Sequence, residues 1–165
     1  MKVALYIGDH AGDSLAARAG WWVTRNTQKG EFGNVTHVEA IHAEHTDGSV
    51  TIASASLRDG GVRDKVVLLQ PDNWRIVNVG FWDMARSVDL LAKTKGRPYD
   101  WRGALATRLP GRHDDAAFFC NEWVGSPFLR EAWTFGPHQF AAVCLSIGRD
   151  ITQDFFKERK GARHG

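Results

Sequence analysis

The stretch Phe118-Phe119-Cys120-Asn121-Glu122-Trp123-Val124 decides how the chain is read. Two aromatics precede a thiol, and a short apolar-periodic run follows it. A helix beginning at Cys120 places the thiol at a helix N-terminus, where unpaired backbone N–H groups and the helix dipole favour a thiolate. Gly125-Ser126-Pro127 keeps that helix short, because proline cannot continue it. A thiolate needs a base to form and hold it. The candidate is His37, in Val35-Thr36-His37-Val38-Glu39, a segment of strand character far upstream. The expectation is a Cys120/His37 nucleophilic pair that only the fold brings together.

Working outward, Val35, His37, Glu39 and Ile41 share one face of a strand that runs to about Ala43. Thr46-Asp47-Gly48-Ser49 turns the chain into a returning strand over 50–56, making a hairpin. Arg58-Asp59-Gly60-Gly61 is a further turn, and 64–69 and 74–79 read as two more strands joined through Pro71-Asp72-Asn73. Upstream, the alternation of Val3, Leu5 and Ile7 predicts a first strand over 2–8. A helix from Asp13 or Ser14 to about Lys29 follows, with Leu15, Ala19, Trp22 and Val23 on one face and Gly30 as its stop. Downstream, a helix over 81–95 has Phe81, Ala85, Val88 and Ala92 as its apolar face. Tyr99-Asp100-Trp101-Arg102 opens another helical segment to about Leu109, and Pro137 opens a last short helix through Ala142. Helix, then consecutive antiparallel strands, then helices is an α+β pattern.

The 165 residues suit one domain, 1–165, with a charged tail over about 157–165. The balance of 21 basic against 19 acidic residues leaves no electrostatic footprint for nucleic acid. Lys157, Arg159, Lys160 and Arg163 read as a solvated, frayed terminus. Two cysteines do not make a disulfide scaffold, and Cys144, between Val143 and Leu145, reads as core. His42, Glu44 and His45 stand near His37 without a second ligand cluster at zinc-like spacing, so no metal and no cofactor is expected. No apolar run is long enough to span a bilayer. The segment Met1–Asp9 is too short and too soon acidic for a signal peptide. The expectation is a protein made in the cytoplasm, with phage association or release on cell lysis left open.

In their order along the chain, four features resemble the circularly permuted branch of the NlpC-like, papain-fold cysteine hydrolases. They are His37 in Thr-His-Val-Glu, the hairpin, the Pro98-Tyr99-Asp100 segment and the aromatic-Cys-Asn-Glu-Trp helix start. That branch includes YiiX-like bacterial proteins and the lecithin–retinol acyltransferase group, and the resemblance covers about residues 8–143. It implies a papain-like, permuted NlpC-type fold, with helices packed against an antiparallel sheet. It further implies Cys120 as nucleophile, His37 as general base, and a polar residue on the next strand to orient the imidazole. That place falls in Ile52–Ser56, where Ser54 is the candidate third member. Glu39, on the strand face of His37, is the alternative and the better acceptor. Tyr99 and Asp100 match the family's Tyr-Asp stretch at the cleft wall and, with Asn121, are candidate substrate-binding residues. The implied activity is that of a cysteine amidase or peptidase acting by acyl transfer on a peptide or amide bond, with peptidoglycan among the family's substrates. Two alternatives stay open. One is a lipid esterase or acyltransferase of the same fold, although the charged C-terminus lacks the apolar anchoring tail of the retinol branch. The other is a non-catalytic binding module that retains the fold.

Overall fold

Residues 1–8, 34–106 and 116–162 are described by the computed structural model. The expected helix over 13–29, with Trp22, and the end of the helical segment expected to run to about Leu109 lie outside these residues. Strands β1 (Lys2–Tyr6), β2 (His37–Glu44), β3 (Val50–Ser56), β4 (Gly61–Val67), β5 (Trp74–Asn78) and β6 (Arg149–Asp150) form one sheet. Their order is β4-β3-β2-β1-β5-β6, and every neighbouring pair is antiparallel. The described helices are α1 (Met84–Thr94), α2 (Trp101–Ala106), α3 (Cys120–Gly125), α4 (Pro137–Ile147) and α5 (Thr152–Ala162), with a 3₁₀ turn at Ala132–Thr134. The class is α+β, as the element order predicts. Among the described residues no helix is long and apolar enough to cross a membrane.

Side chains alternate across a strand, so each strand can feed two cores. Val3, Leu5, Val38, Ala40, Ala53, Ala55 and Val77 meet Trp123 and Val124 of α3 and Phe140, Ala141 and Cys144 of α4. Ala4, Ile41, Val50, Ile52 and Ile76 meet Phe155 and Phe156 of α5. Both faces of the sheet are therefore covered. The β2–β3 hairpin is closed by Asp47, whose Oδ1 accepts from the Ser49 N–H at 2.9 Å and the Ser49 hydroxyl at 2.6 Å.

Three expectations are corrected. Strand β4 begins at Gly61, three residues earlier than the pattern suggests. The missing side chain allows this: a Cβ on Gly61 would sit 2.0 Å from the Arg97 carbonyl oxygen. The backbone of Val62 then pairs with Arg97 O and Gly96 N. Helix α1 begins at Met84, capped by Asp83, whose Oδ1 accepts from Ala85 N at 2.9 Å. Its expected apolar face is turned outward: Phe81, before the helix, is 69% exposed, Val88 is exposed, and Ser87 and Thr94 are buried instead. Finally, the charged C-terminal stretch is helical through Ala162. Arg159 packs its guanidinium over the Phe155 ring and pairs with Glu44, while Phe155 and Phe156 fill the second core.

Candidate active site

Helix α3 packs against β2 and β3, and this sets Cys120 beside His37, the first residue of β2. Phe119, in extended conformation, is the N-cap of α3. Glu122 folds back so that its Oε2 accepts the Phe119 N–H at 3.2 Å. That contact satisfies an orphan donor and puts a carboxylate in the first turn. Cys120 is buried at this helix start, with Sγ 3.8 Å from Asn121 Oδ1.

His37 and Glu39 are two apart on β2 and emerge on the same side. His37 Nε2 lies 2.8 Å from Glu39 Oε1. A carboxylate only accepts, so Nε2 carries a hydrogen and Nδ1 is left for the thiol. Burial alone would push the imidazolium to lose its proton. The Glu39 carboxylate and the Cys120 sulfur, through charge and hydrogen bonding, outweigh that and raise His37 to about 9. Glu39 is 1% exposed. Burial favours its neutral acid, but His37 and Arg63 hold its carboxyl below the ordinary value.

Arg63 completes the arrangement. Its Nη1 donates to Glu39 Oε2 at 2.8 Å and its Nη2 to Glu39 Oε1 at 2.6 Å, the fork geometry that suits a carboxylate. Its Nε–H goes to Asp59, which also accepts from Lys65 at 2.9 Å. Sequence reasoning missed Arg63 because it ended the turn at Gly61 and began the strand only at 64, which left Arg63 outside both. A signal existed, since an inward-facing Glu39 requires a cation.

The remaining candidates fall as follows. The Ser54 hydroxyl does not reach the imidazole. It makes long bonds to the carbonyl oxygens of Ala55, at 3.3 Å, and Cys120, at 3.4 Å, so the carboxylate on His37 is that of Glu39. Asn121 is fully buried and donates to Phe135 O at 2.6 Å, which ties α3 to the segment after the 3₁₀ turn rather than offering the amide to solvent. Residues 98–100 run beside 118, with Phe118 N bonded to Pro98 O and Asp100 N to Phe118 O, and this brings Tyr99 close to Cys120. The Tyr99 phenol is pushed well up, by burial first and then by Cys120, Asp100 and Glu122, so it stays a donor. Asp100 is buried as the cap of α2: its Oδ1 accepts the Gly103 N–H at 2.7 Å. Gly103 makes room, because a Cβ there would sit 2.1 Å from Asp100 Oδ2. Trp123 is in the core, whereas Trp101 is 54% exposed. Cys144 is buried on α4, and burial pushes its thiol up. Among the described residues no group of three His, Cys, Asp or Glu side chains is placed to hold a metal ion.

No family model, curated protein or solved structure matches this chain. The chemistry therefore rests on the geometry: a thiol at a helix start, an imidazole beside it, and a buried, ionised carboxylate on the far side of that imidazole.

Proposed function

We propose that this chain is a cysteine hydrolase, an amidase or peptidase, that works by nucleophilic acyl transfer on a papain-like scaffold of the permuted NlpC type. One observation carries the reading: His37 stands between Cys120 and the buried Glu39 carboxylate, which is 2.8 Å from Nε2. A nucleophile, a base and a group orienting the base is the recurring constellation of such catalysis.

In this mechanism the proton of Cys120 passes to His37 Nδ1, and the thiolate attacks the substrate carbonyl carbon. The oxyanion faces the Cys120 backbone N–H in the first turn of α3, where intrahelical acceptors are lacking. As the C–N bond breaks, the imidazolium gives its proton to the departing amine. A water molecule then loses a proton to His37 and attacks the thioester. The acid leaves and the thiol is restored. The assignment to cell-wall peptides rests on the resemblance of residues 8–143 alone, and it directs the choice of the first substrates.

The test is the pH dependence of Cys120 alkylation by iodoacetamide in a Cys144→Ala background, with and without His37→Ala. The expected result is rapid alkylation well below the reference thiol pKa of about 8.5, lost in His37→Ala. Hydrolysis of amide-linked peptides, peptidoglycan stem peptides first, should then disappear in Cys120→Ala. A thiol that titrates like a free cysteine and ignores His37 would overturn the reading in favour of a binding module.

A further inference from the structure

We propose that Arg63 is the positioning residue of this site: it holds the Glu39 carboxylate, and through it the His37 ring, in place whether or not His37 carries its second proton. The inference rests on the Cys120/His37 reading for its purpose, though its geometry stands without it.

During acyl transfer His37 gains, loses and regains a proton. Each time the ring becomes neutral, Glu39 would be a buried anion without a counter-charge. Such a carboxylate takes up a proton or swings toward water, and either event would free the imidazole. Arg63 removes that hazard. Its guanidinium does not deprotonate, and it grips both oxygens of Glu39 at 2.8 and 2.6 Å. Glu39 Oε1 is shared between His37 Nε2 and Arg63 Nη2, so the carboxylate keeps one donor when the other changes state. The guanidinium is itself fixed. Its Nε–H is held by Asp59, its Nη1 lies 3.5 Å from Ser54 O, and Lys65 anchors Asp59 from behind. The charged and titratable groups around Glu39 are His37 and His42 from β2, Arg63 from β4, and Cys120 from α3 beyond His37. Charges thus alternate in sign from the imidazolium through carboxylate and guanidinium to Asp59 and Lys65.

The experiment follows the Glu39 carboxyl carbon and the His37 ring nitrogens by NMR against pH, in the wild type, His37→Ala, Arg63→Gln and Arg63→Lys. In His37→Ala, Glu39 should stay ionised at neutral pH, because Arg63 suffices. In Arg63→Gln its titration should move up by about one pH unit or more, and Arg63→Lys should restore most of that shift. Alkylation of Cys120 in Arg63→Gln should slow on the order of tenfold on the acid side and recover as pH rises. A neutral Glu39 in His37→Ala, or an Arg63→Gln titration superposing on the wild type, would overturn the proposal. The His37→Ala arm decides it even where Arg63→Gln does not fold. The NMR arms need no turnover. An inert Cys120 with responsive Glu39 would sink the hydrolase reading alone, and an activated Cys120 with an indifferent Glu39 would sink this one alone.

Discussion

At the scale of single residues, the two candidates for a partner of His37 make opposite predictions. Glu39 lies 2.8 Å from Nε2, whereas the Ser54 hydroxyl bonds carbonyl oxygens at 3.3 and 3.4 Å. Glu39→Gln removes the charge that does most to raise His37 to about 9. The low-pH limb of Cys120 alkylation that depends on His37 should therefore move up toward the reference thiol pKa of about 8.5. The same change leaves Arg63 buried with Asp59 as its remaining carboxylate partner, at a cost of about 3 kcal/mol in urea unfolding. Ser54→Ala should leave the limb in place and cost no more than about 1 kcal/mol, since its bonds are long. A Ser54→Ala limb that moves as far as that of Glu39→Gln would exchange their roles. The Cys120 and His37 positions were legible because thiol chemistry needs a helix start and a base. The choice between Ser54 and Glu39 was not. It depends on which side chain the register of β3 leaves near Cys120, and no local pattern encodes that. Arg63 was hidden by a strand boundary set by a tertiary approach, that of Gly61 to the Arg97 carbonyl.

At the scale of the element, α1 shows how a periodicity can be read correctly and still be assigned to the wrong face. Ala85, Val88 and Ala92 do share a stripe, with Phe81 lying before the helix, yet the helix turns Ser87 and Thr94 inward. Burying hydroxyls is tolerable when each finds a partner. Ser87 Oγ lies 2.9 Å from His42 Nε2. Thr94 Oγ1 accepts from Trp123 Nε1 at 2.9 Å and donates to Leu90 O at 2.7 Å. Trp123 is a core residue of the Cys120 helix, so this bond ties α1 to the site. Thr94→Val keeps the shape but orphans the indole N–H, and it should lower the free energy of unfolding in urea by about 1–3 kcal/mol. Val88→Gln on the exposed stripe should change it by no more than about 0.5 kcal/mol. Equal costs for the two would place the buried face where the apolar pattern first suggested.

At the scale of the whole molecule, the class follows from the element order, because strands that succeed one another closely pair antiparallel. The position of β1 between β2 and β5 does not follow, since it depends on how the chain before β2 returns. Nor does the helical C-terminus follow from its charges, because Phe155 and Phe156 act as a pair only once a second sheet face needs covering. Packing on both faces buries titratable groups, and this gives stability a pH dependence whose sign can be worked out. Burial holds His42 below its ordinary value despite Asp64 and Glu39 nearby. Between its folded value and about 6.5 the unfolded chain therefore binds the extra proton, and stability falls as pH drops through that window. His37, raised to about 9, stays protonated in the folded state and acts in the opposite sense only near pH 6.5, where the unfolded chain is still taking up its proton; further down it adds no slope. The lowered carboxyls, Glu39 and Asp59 among them, act only further down, where stability falls as they are protonated. Acid unfolding should thus proceed in two stages, a shallow loss below about pH 6.5 and a steeper one below about pH 4.5. Urea midpoints measured across that range check this directly. His42→Gln should remove the first stage and leave the second, and a His42→Gln profile parallel to the wild type from about pH 6.5 downward would move the origin of the first stage away from His42.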